Sequence, residues 1–531
     1  MGRYVSMIKG RNLNLLLCLL SLAASFARYC RADSALSVGR WDKFEATVEN
    51  PKDYHDPYAD VTLDVTYEDP DGKATRFWGF YDGAGTWKIR FMPDRIGTWK
   101  YDAAFSDGSR RISGTFECVR SDIPGMISVD RANPVWFGYN SGAHGLIRSL
   151  HVGDRFFAEN WPAAKRKAFL DWAQTQGYNM LSVASHYLNR DAEGRGRGWR
   201  TPDLWPPNAR EYRKAEVIMT DLAARKIMVY PFAGFFGQSS DFPTAGAEQI
   251  RYLRYTLARF GPYWNILFNV AGPEPKIKAK EFQNAMSFAD VNRLGRLISE
   301  FDVFGHPISI HNPSGDDPYK DQDWLSFVTL QGWKGTNLAD VYKGMLKNHH
   351  DAKPLYAQEV FWPGNKYHKI SGEANIRKKA FVLMMSAATI NYADMNGNSS
   401  TGFSGTMELS DRNQANHDIV KKVWDFFETI PFYRMSPSPS AVDRGFCLAD
   451  TGRYYLVYLP DGGAVSVSAP AGTYTVTWIN AQDTSDRRPS GTTKDCKNLS
   501  SPDGGDDWLL LLSAANVSGI DPSGRRIREF F

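Results

Sequence analysis

Cysteine is scarce, with five in 531 residues, and two of these, Cys18 and Cys30, lie in the first 32 positions. The remaining Cys118, Cys447 and Cys496 are too few to build a disulfide scaffold. No Cys-X-X-Cys or Cys/His cluster offers a zinc site, so no metal is expected. Charge of one sign is also lacking: the formal net charge is +4. Arg3, Lys9, Arg11, Arg28 and Arg31 account for more than that excess, and residues 1–32 hold no acid, so without them the charge is −1. Nucleic-acid binding loses its electrostatic basis on that count. Beyond Leu13–Ala24 no stretch approaches 18 apolar residues, the length a membrane-spanning helix needs. No heptad or glycine period is present, and no Gly-X-Gly-X-X-Gly or P-loop follows an apolar run, which leaves no dinucleotide or nucleotide cofactor to expect. Disorder is excluded by a hydrophobic content of 43%.

What is present begins with an address. Basic residues precede the apolar run LNLLLCLLSLAA, and small residues follow it in Ser25-Phe26-Ala27 and Cys30-Arg31-Ala32. That is the layout of a signal peptide over residues 1–32, and it predicts a secreted or periplasmic protein that leaves the membrane after cleavage. Export permits a disulfide, for which Cys447 with Cys496 is the candidate, both lying in the last segment.

Three segments with different hydrophobic periods follow. Residues 33–125 alternate apolar and polar at period two in runs such as DVTLDVTYED and TWKIRFMPD, broken by Asp-Pro-Asp-Gly and Ser-Asp-Gly turns. This predicts a β-sandwich. Residues 436–531 repeat the pattern after the linker SPSPS, with RYYLVYLPDG, TYTVTWIN and WLLLLSA, and predict a second sandwich. Between them, residues 126–435 alternate short apolar runs with helix-length amphipathic stretches. Eight such runs (LIRSLHV, NMLSVAS, IMVYPF, WNILFNV, ISIHN, LSFVTLQ, PLYAQEV and TINYADM) predict an α/β fold, a (β/α)8 TIM barrel.

A barrel of this kind carries its chemistry at the C-terminal ends of the strands. The polar residues there are His186 after the second run, Gln238 near the third and Glu274 after the fourth. His311 and Asn312 follow at the fifth, Gln331 and Trp333 at the sixth, Glu359 at the seventh, and Asp394 and Asn396 at the eighth. Glu274 and Glu359 each close an apolar run, where a solvated surface acid is out of place. Two carboxylates flanking one bond are the requirement for glycoside hydrolysis, about 5–5.5 Å apart for retention and about 6.5–9.5 Å for inversion. Rings suit the same chemistry: the chain has 16 Trp, 25 Tyr and 31 Phe, and Trp333, Phe361 and Trp362 are candidate platforms for sugar stacking. The loop from Tyr187 to Arg200 carries four arginines, Arg197 among them, and Trp199. Guanidiniums bind carboxylate or sulfate in a bidentate way, which would suit an anionic glycan; pairing with Asp191 and Glu193 is the plainer alternative.

These residues resemble the clan A retaining glycoside hydrolases, with Glu274 in the place of the acid/base and Glu359 in that of the nucleophile. Gly272-Pro273-Glu274-Pro275 departs from the usual Asn-Glu-Pro by having proline before the glutamate. The stretch WGFYDGAGTWKIRFMPDRIGTWKY (residues 78–101) is similar to the N-terminal sandwich of apiosidase-like hydrolases, and RYYLVYLPDGG with YTVTWIN resembles the C-terminal sandwich labelled collagen-binding in that group. The resemblance implies a cofactor-independent enzyme acting on a polysaccharide or oligosaccharide, monomeric or weakly oligomeric. His186, Arg197, Trp199, His311, Asn312, Gln331, Trp333, Trp362, Asp394 and Asn396 would line its sugar subsites. Two other readings remain open at this level: a non-catalytic glycan- or matrix-binding protein on the same scaffold, and an inverting hydrolase using Asp394 in place of Glu274.

Overall fold

A computed structural model describes residues 36–183, 200–231, 236–237, 243, 246–272, 286–312, 315–365, 367–394, 408–409 and 413–515. The N-terminal part packs two sheets face to face. One has five strands in the order Ser37–Gly39, Arg111–Val119, Gly97–Phe105, Leu63–Glu68 and Ala74–Trp78; the other has three, Phe44–Glu49, Thr86–Phe91 and Phe80–Gly83. The alternation seen in sequence is the alternation of burial: Leu63, Val65 and Tyr67 face inward and Asp64 outward. The Asp-Pro-Asp-Gly turn closes on itself, with Gly72 at φ 84° donating to Asp69 O at 2.9 Å while Asp69 Oδ1 accepts from Asp71 N and Lys73 N. Phe44 stacks on Phe116 at 3.9 Å in the core.

The central part alternates strands and helices. We label its strands β1 (Ser149–Val152), β2 (Met180–Val183), β3 (Met228–Pro231), β4 (Phe268–Asn269), β5 (Ile308–Ser309), β6 (Val328–Gln331), β7 (Leu355–Phe361) and β8 (Ala388–Tyr392). Its helices are α1 (Ala163–Thr175), α2 (Ala209–Ala224), α3 (Gly246–Phe260), α4 (Phe288–Phe301), α5 (Leu338–Lys347), α6 (Glu373–Met385) and α7 (Gln414–Phe427). Six strands form one parallel sheet in the order β3-β2-β1-β8-β7-β6, and β4 pairs with β5 separately. In β1, β2, β6, β7 and β8 every residue is buried, so both faces of these strands are covered, including the polar side chains of Ser149, His151, Thr329, Gln331, Thr389 and Asn391.

The sheet is strongly curled. Six flat strands would put β3 and β6 about 24 Å apart, yet Tyr230 OH and Thr329 Oγ1 meet at 3.3 Å, and Tyr230 and Phe327 are 5.4 Å apart between ring centroids. The β4/β5 pair is tied to both edges: Val229 N donates to Asn265 O at 2.7 Å, and Ser326 N to Ile308 O at 2.8 Å. Among the described residues, ladder pairing is nonetheless not continuous around eight strands as the sequence led us to expect. β4 and β5 are two residues each, and Pro307 beside β5 has no N–H to give to a neighbour.

The C-terminal part is a six-stranded sheet (Ser436–Pro437, Phe446–Asp450, Tyr454–Leu459, Trp508–Ala514, Tyr474–Asn480, Arg487–Thr493) with a two-stranded ribbon, Ala464–Val465 and Leu499–Ser500. YYLVYL is buried along its whole length because both faces are covered. One face lies on α6, where Arg377 grips Asp507 through two bonds of 2.8 and 2.9 Å and Phe381 lies 5.0 Å from Tyr458. The other carries Cys447, Trp478, Cys496 and Trp508 in a cluster of its own. The expected Cys447–Cys496 bridge is absent: Cys118, Cys447 and Cys496 are free, buried thiols. A shared cluster does not align two sulfurs, and here both cysteines pack as small apolar side chains.

The N-terminal sheets meet the central part through a buried charge network. Glu216 on α2 receives Arg90 from strand Thr86–Phe91 at 2.7 and 3.1 Å, and Arg259 from α3 at the same two distances. Glu45 and Asp82 complete the partners of Arg90 and Arg259.

Candidate active site

The C-terminal ends of the parallel strands gather the polar side chains that the apolar strands cannot hold. Glu359 sits near the end of β7 and is 2% exposed. A bulge puts it there. Leu330 pairs with Ala357, but Gln331 pairs with Glu359, so β7 holds one residue more than β6 at this level. Two consecutive side chains can then both be used: Gln358 Nε2 donates to Ser182 Oγ at 2.7 Å, among the strands, while Glu359 Oε2 accepts from Lys334 Nζ at 3.1 Å.

Lys334 comes from the turn after β6, whose backbone is unusual. Gly332 has φ 123° and Trp333, a bulky residue, φ 46°. Two contacts hold this turn. The Trp333 indole lies directly on the backbone of α5, where Gly344 leaves no room for a Cβ. From α6, Lys379, fully buried, donates to the carbonyls of Trp333 at 3.0 Å and Gly335 at 2.9 Å. Burial pulls the Lys379 ammonium down to about 7.

Near Glu359, Trp362 is completely buried and lies against two imidazoles. His151 at the end of β1 stacks on it at 4.0 Å, and His368 lies parallel at 5.8 Å. His368 Nδ1 accepts from Trp362 N at 3.1 Å. Burial, and then the nearby cations Lys334 and Lys379, pull His368 down to about 2, so it is neutral.

Several sequence candidates meet at this end of the sheet. Gln331 Nε2 donates to Asn312 O at 2.7 Å, and His311 N donates to Asn269 Oδ1 at 3.1 Å; His311, Asn312 and Gln331 are all buried. Three others have partners of their own. Trp362 is completely buried and Trp333, partly exposed, packs its indole on α5. Asp394 accepts from the backbone N–H of Asn413, the cap of α7, and lies 3.7 Å from His417 Nε2, which turns it toward that helix. Glu274, His186, Gln238, Arg197, Trp199 and Asn396 lie outside the described residues; the strand pair Phe236–Gly237 with Ala271–Gly272 ends two positions before Glu274. Sequence reasoning missed Lys334, Lys379 and His368. For Lys379 a signal existed, a lysine immediately before the unbroken apolar run AFVLMM.

A curled parallel β/α sheet with a buried, lysine-paired glutamate at its C-terminal end suits glycoside hydrolysis. Residues 156–392 match the model of the apiosidase-like catalytic domain, a family of glycoside hydrolases, which agrees with it. Residues 37–106 match a domain of unknown function, DUF5060. Among solved structures, a "putative glycoside hydrolase" from Bacteroides vulgatus ATCC 8482 aligns with TM-score 0.70 at 17% identity, covering 90% of this chain and 100% of that one. A glycoside hydrolase family 5 protein from the same organism aligns with TM-score 0.58 at 14% identity, covering 76% and 97%. At these identities the likeness is one of fold. No curated protein sequence matches the chain.

Proposed function

We propose that the chain is an exported, retaining glycoside hydrolase on a (β/α)8 barrel, with Glu359 as nucleophile and Glu274 as acid/base. The observation that carries this reading is Glu359 itself: a carboxylate 2% exposed, set by a bulge at the C-terminal end of a central parallel strand, against the ammonium of Lys334. A nucleophilic carboxylate must be ionised, and a cation at 3.1 Å favours the charged form even where burial opposes it. The contact between the edge strands β3 and β6, with β4 and β5 bonded to each edge, supports closure into a barrel. Retention rather than inversion through Asp394 is supported by the commitment of Asp394 to α7 and His417.

The substrate is a polysaccharide or oligosaccharide, and the arginine loop at Arg197 makes uronic-acid-rich or sulfated glycans the first to try. Export removes residues 1–32. The test is sugar release from neutral, uronic-acid-rich and sulfated polysaccharides by wild type, Glu274→Gln and Glu359→Gln. Products that vanish in both variants, while their melting temperatures stay near wild type, support the assignment. Undiminished release by Glu359→Gln refutes it.

A further inference from the structure

The turn that carries Lys334 is built in a way that packing alone does not require. Two successive residues, Gly332 and Trp333, have positive φ. For a tryptophan that conformation is strained and persists only where the surroundings over-determine it. Here they do. The indole of Trp333 is laid on Gly344 of α5, and the fully buried ammonium of Lys379 reaches across from α6 to the carbonyls of residues 333 and 335. Those carbonyls flank Lys334 on both sides, so the Lys334 backbone is fixed at two points while its side chain extends to Glu359 Oε2.

Burying an ammonium is expensive, and two carbonyl bonds to one turn could be made far more cheaply by an amide or a hydroxyl. The cost is recovered if the turn has to be held rigid. We propose that Lys379 is a positioning residue: through the carbonyls of Trp333 and Gly335 it holds Lys334 against Glu359, and so helps to keep the nucleophile ionised. This rests on the reading of Glu359 as nucleophile. Lys379 touches neither Glu359 nor the reacting atoms; it acts through Lys334. Among the described residues, the titratable groups packed around this corner include Lys334 on the turn with the Tyr367 ring 5.6 Å away, Lys379 on α6, His368 after β7, His151 on β1 and Glu359. His368 is neutral, so among the described residues the charge that faces Glu359 through this linkage is Lys334, with Lys379 behind it on the turn carbonyls.

The test reads the carboxylate directly. In protein labelled with carboxyl-13C glutamate, the Glu359 resonance is identified by its loss in Glu359→Gln, and its titration is followed in Lys379→Met, Lys334→Met and the double variant. Removing an opposite charge at hydrogen-bond distance raises a carboxyl pKa by about 1 pH unit or more. Lys334→Met should show that rise, Lys379→Met a smaller one, and the double variant no more than Lys334→Met, because the effect of Lys379 passes through Lys334. A Glu359 titration unmoved in Lys379→Met, or additive effects in the double variant, would overturn the proposal. If Lys379→Met does not fold, Lys379→Gln, which keeps one donor without the charge, takes its place and should fall between wild type and Lys334→Met. Full turnover by Glu359→Gln would instead defeat the reading of the nucleophile, and the role of Lys379 in catalysis with it.

Discussion

Glu216 joins three elements of the chain, and replacing it by glutamine tests what that junction is worth. Burial by itself raises the Glu216 carboxyl, but Arg90 and Arg259 overcome it and hold it at about 2, below the ordinary value of 4.5. A group whose folded pKa is depressed stabilises the protein above its unfolded pKa, and that contribution fades as pH falls toward the folded value. The difference between 4.5 and about 2 corresponds to about 3 kcal/mol at pH 7 and to about half of that at pH 3. Glutamine mimics the protonated acid and leaves two guanidiniums facing one another. The cost should fall at the low end of about 3–5 kcal/mol for a broken buried pair, because Glu45 still holds Arg90 and Asp82 still holds Arg259. Urea unfolding of wild type and Glu216→Gln at pH 7 and pH 3 measures this, in the transition in which the N-terminal sheets part from the central domain. The expected gap is about 3 kcal/mol at pH 7, roughly halved at pH 3. A gap equal at both pH values, or one under about 1 kcal/mol at pH 7, would refute the electrostatic account and leave the network as a packing feature.

Three further outcomes are expected. Gly344→Ala places a methyl group inside the Trp333 indole and should cost about 1–3 kcal/mol in thermal unfolding; kcat should fall as well, since the displaced turn carries Lys334, and an unaltered kcat would separate the turn from the chemistry. Asp394→Asn should lose about 1–3 kcal/mol through the weakened end of α7 while keeping measurable turnover; a loss as complete as that in Glu359→Gln would restore Asp394 as a catalytic carboxylate. Burial pushes the Cys447 thiol up to about 12 and the Cys118 thiol to about 11. Thiol titration of the native protein at pH 8 should therefore be slow at these positions, and unfolding without reductant should release Cys118, Cys447 and Cys496 together; a missing pair would mean that a bridge forms after all.

Much of the architecture was legible because burial leaves its period in the sequence. The sandwich strand LDVTYE has one face in the core and alternates, whereas β7, covered on both sides, is buried along its whole length with Gln358 and Glu359 near its end. Each of the eight apolar runs of the central segment contains a strand, and the turn residues of Asp-Pro-Asp-Gly lie in the turn they imply. What a residue at a strand end does there was not legible. Trp333, Trp362 and Asp394 sit at strand ends, but a sequence does not tell which helix an indole packs on or which helix end a carboxylate serves. The cysteine pair failed for the same reason: membership of one cluster says nothing about the alignment of two sulfurs.

By itself, then, the sequence determined the classes of its segments and the position of Glu359 at the end of a buried strand, because these follow from local period and composition. Only the tertiary structure decided how Glu359 is held. Lys334 and Lys379 lie 25 residues before it and 20 after it. They are brought to one corner by a bulge in β7, by positive φ at Gly332 and Trp333, and by the approach of α6 to the turn. Contacts of that kind depend on how elements pack against one another, and no period along the chain records them.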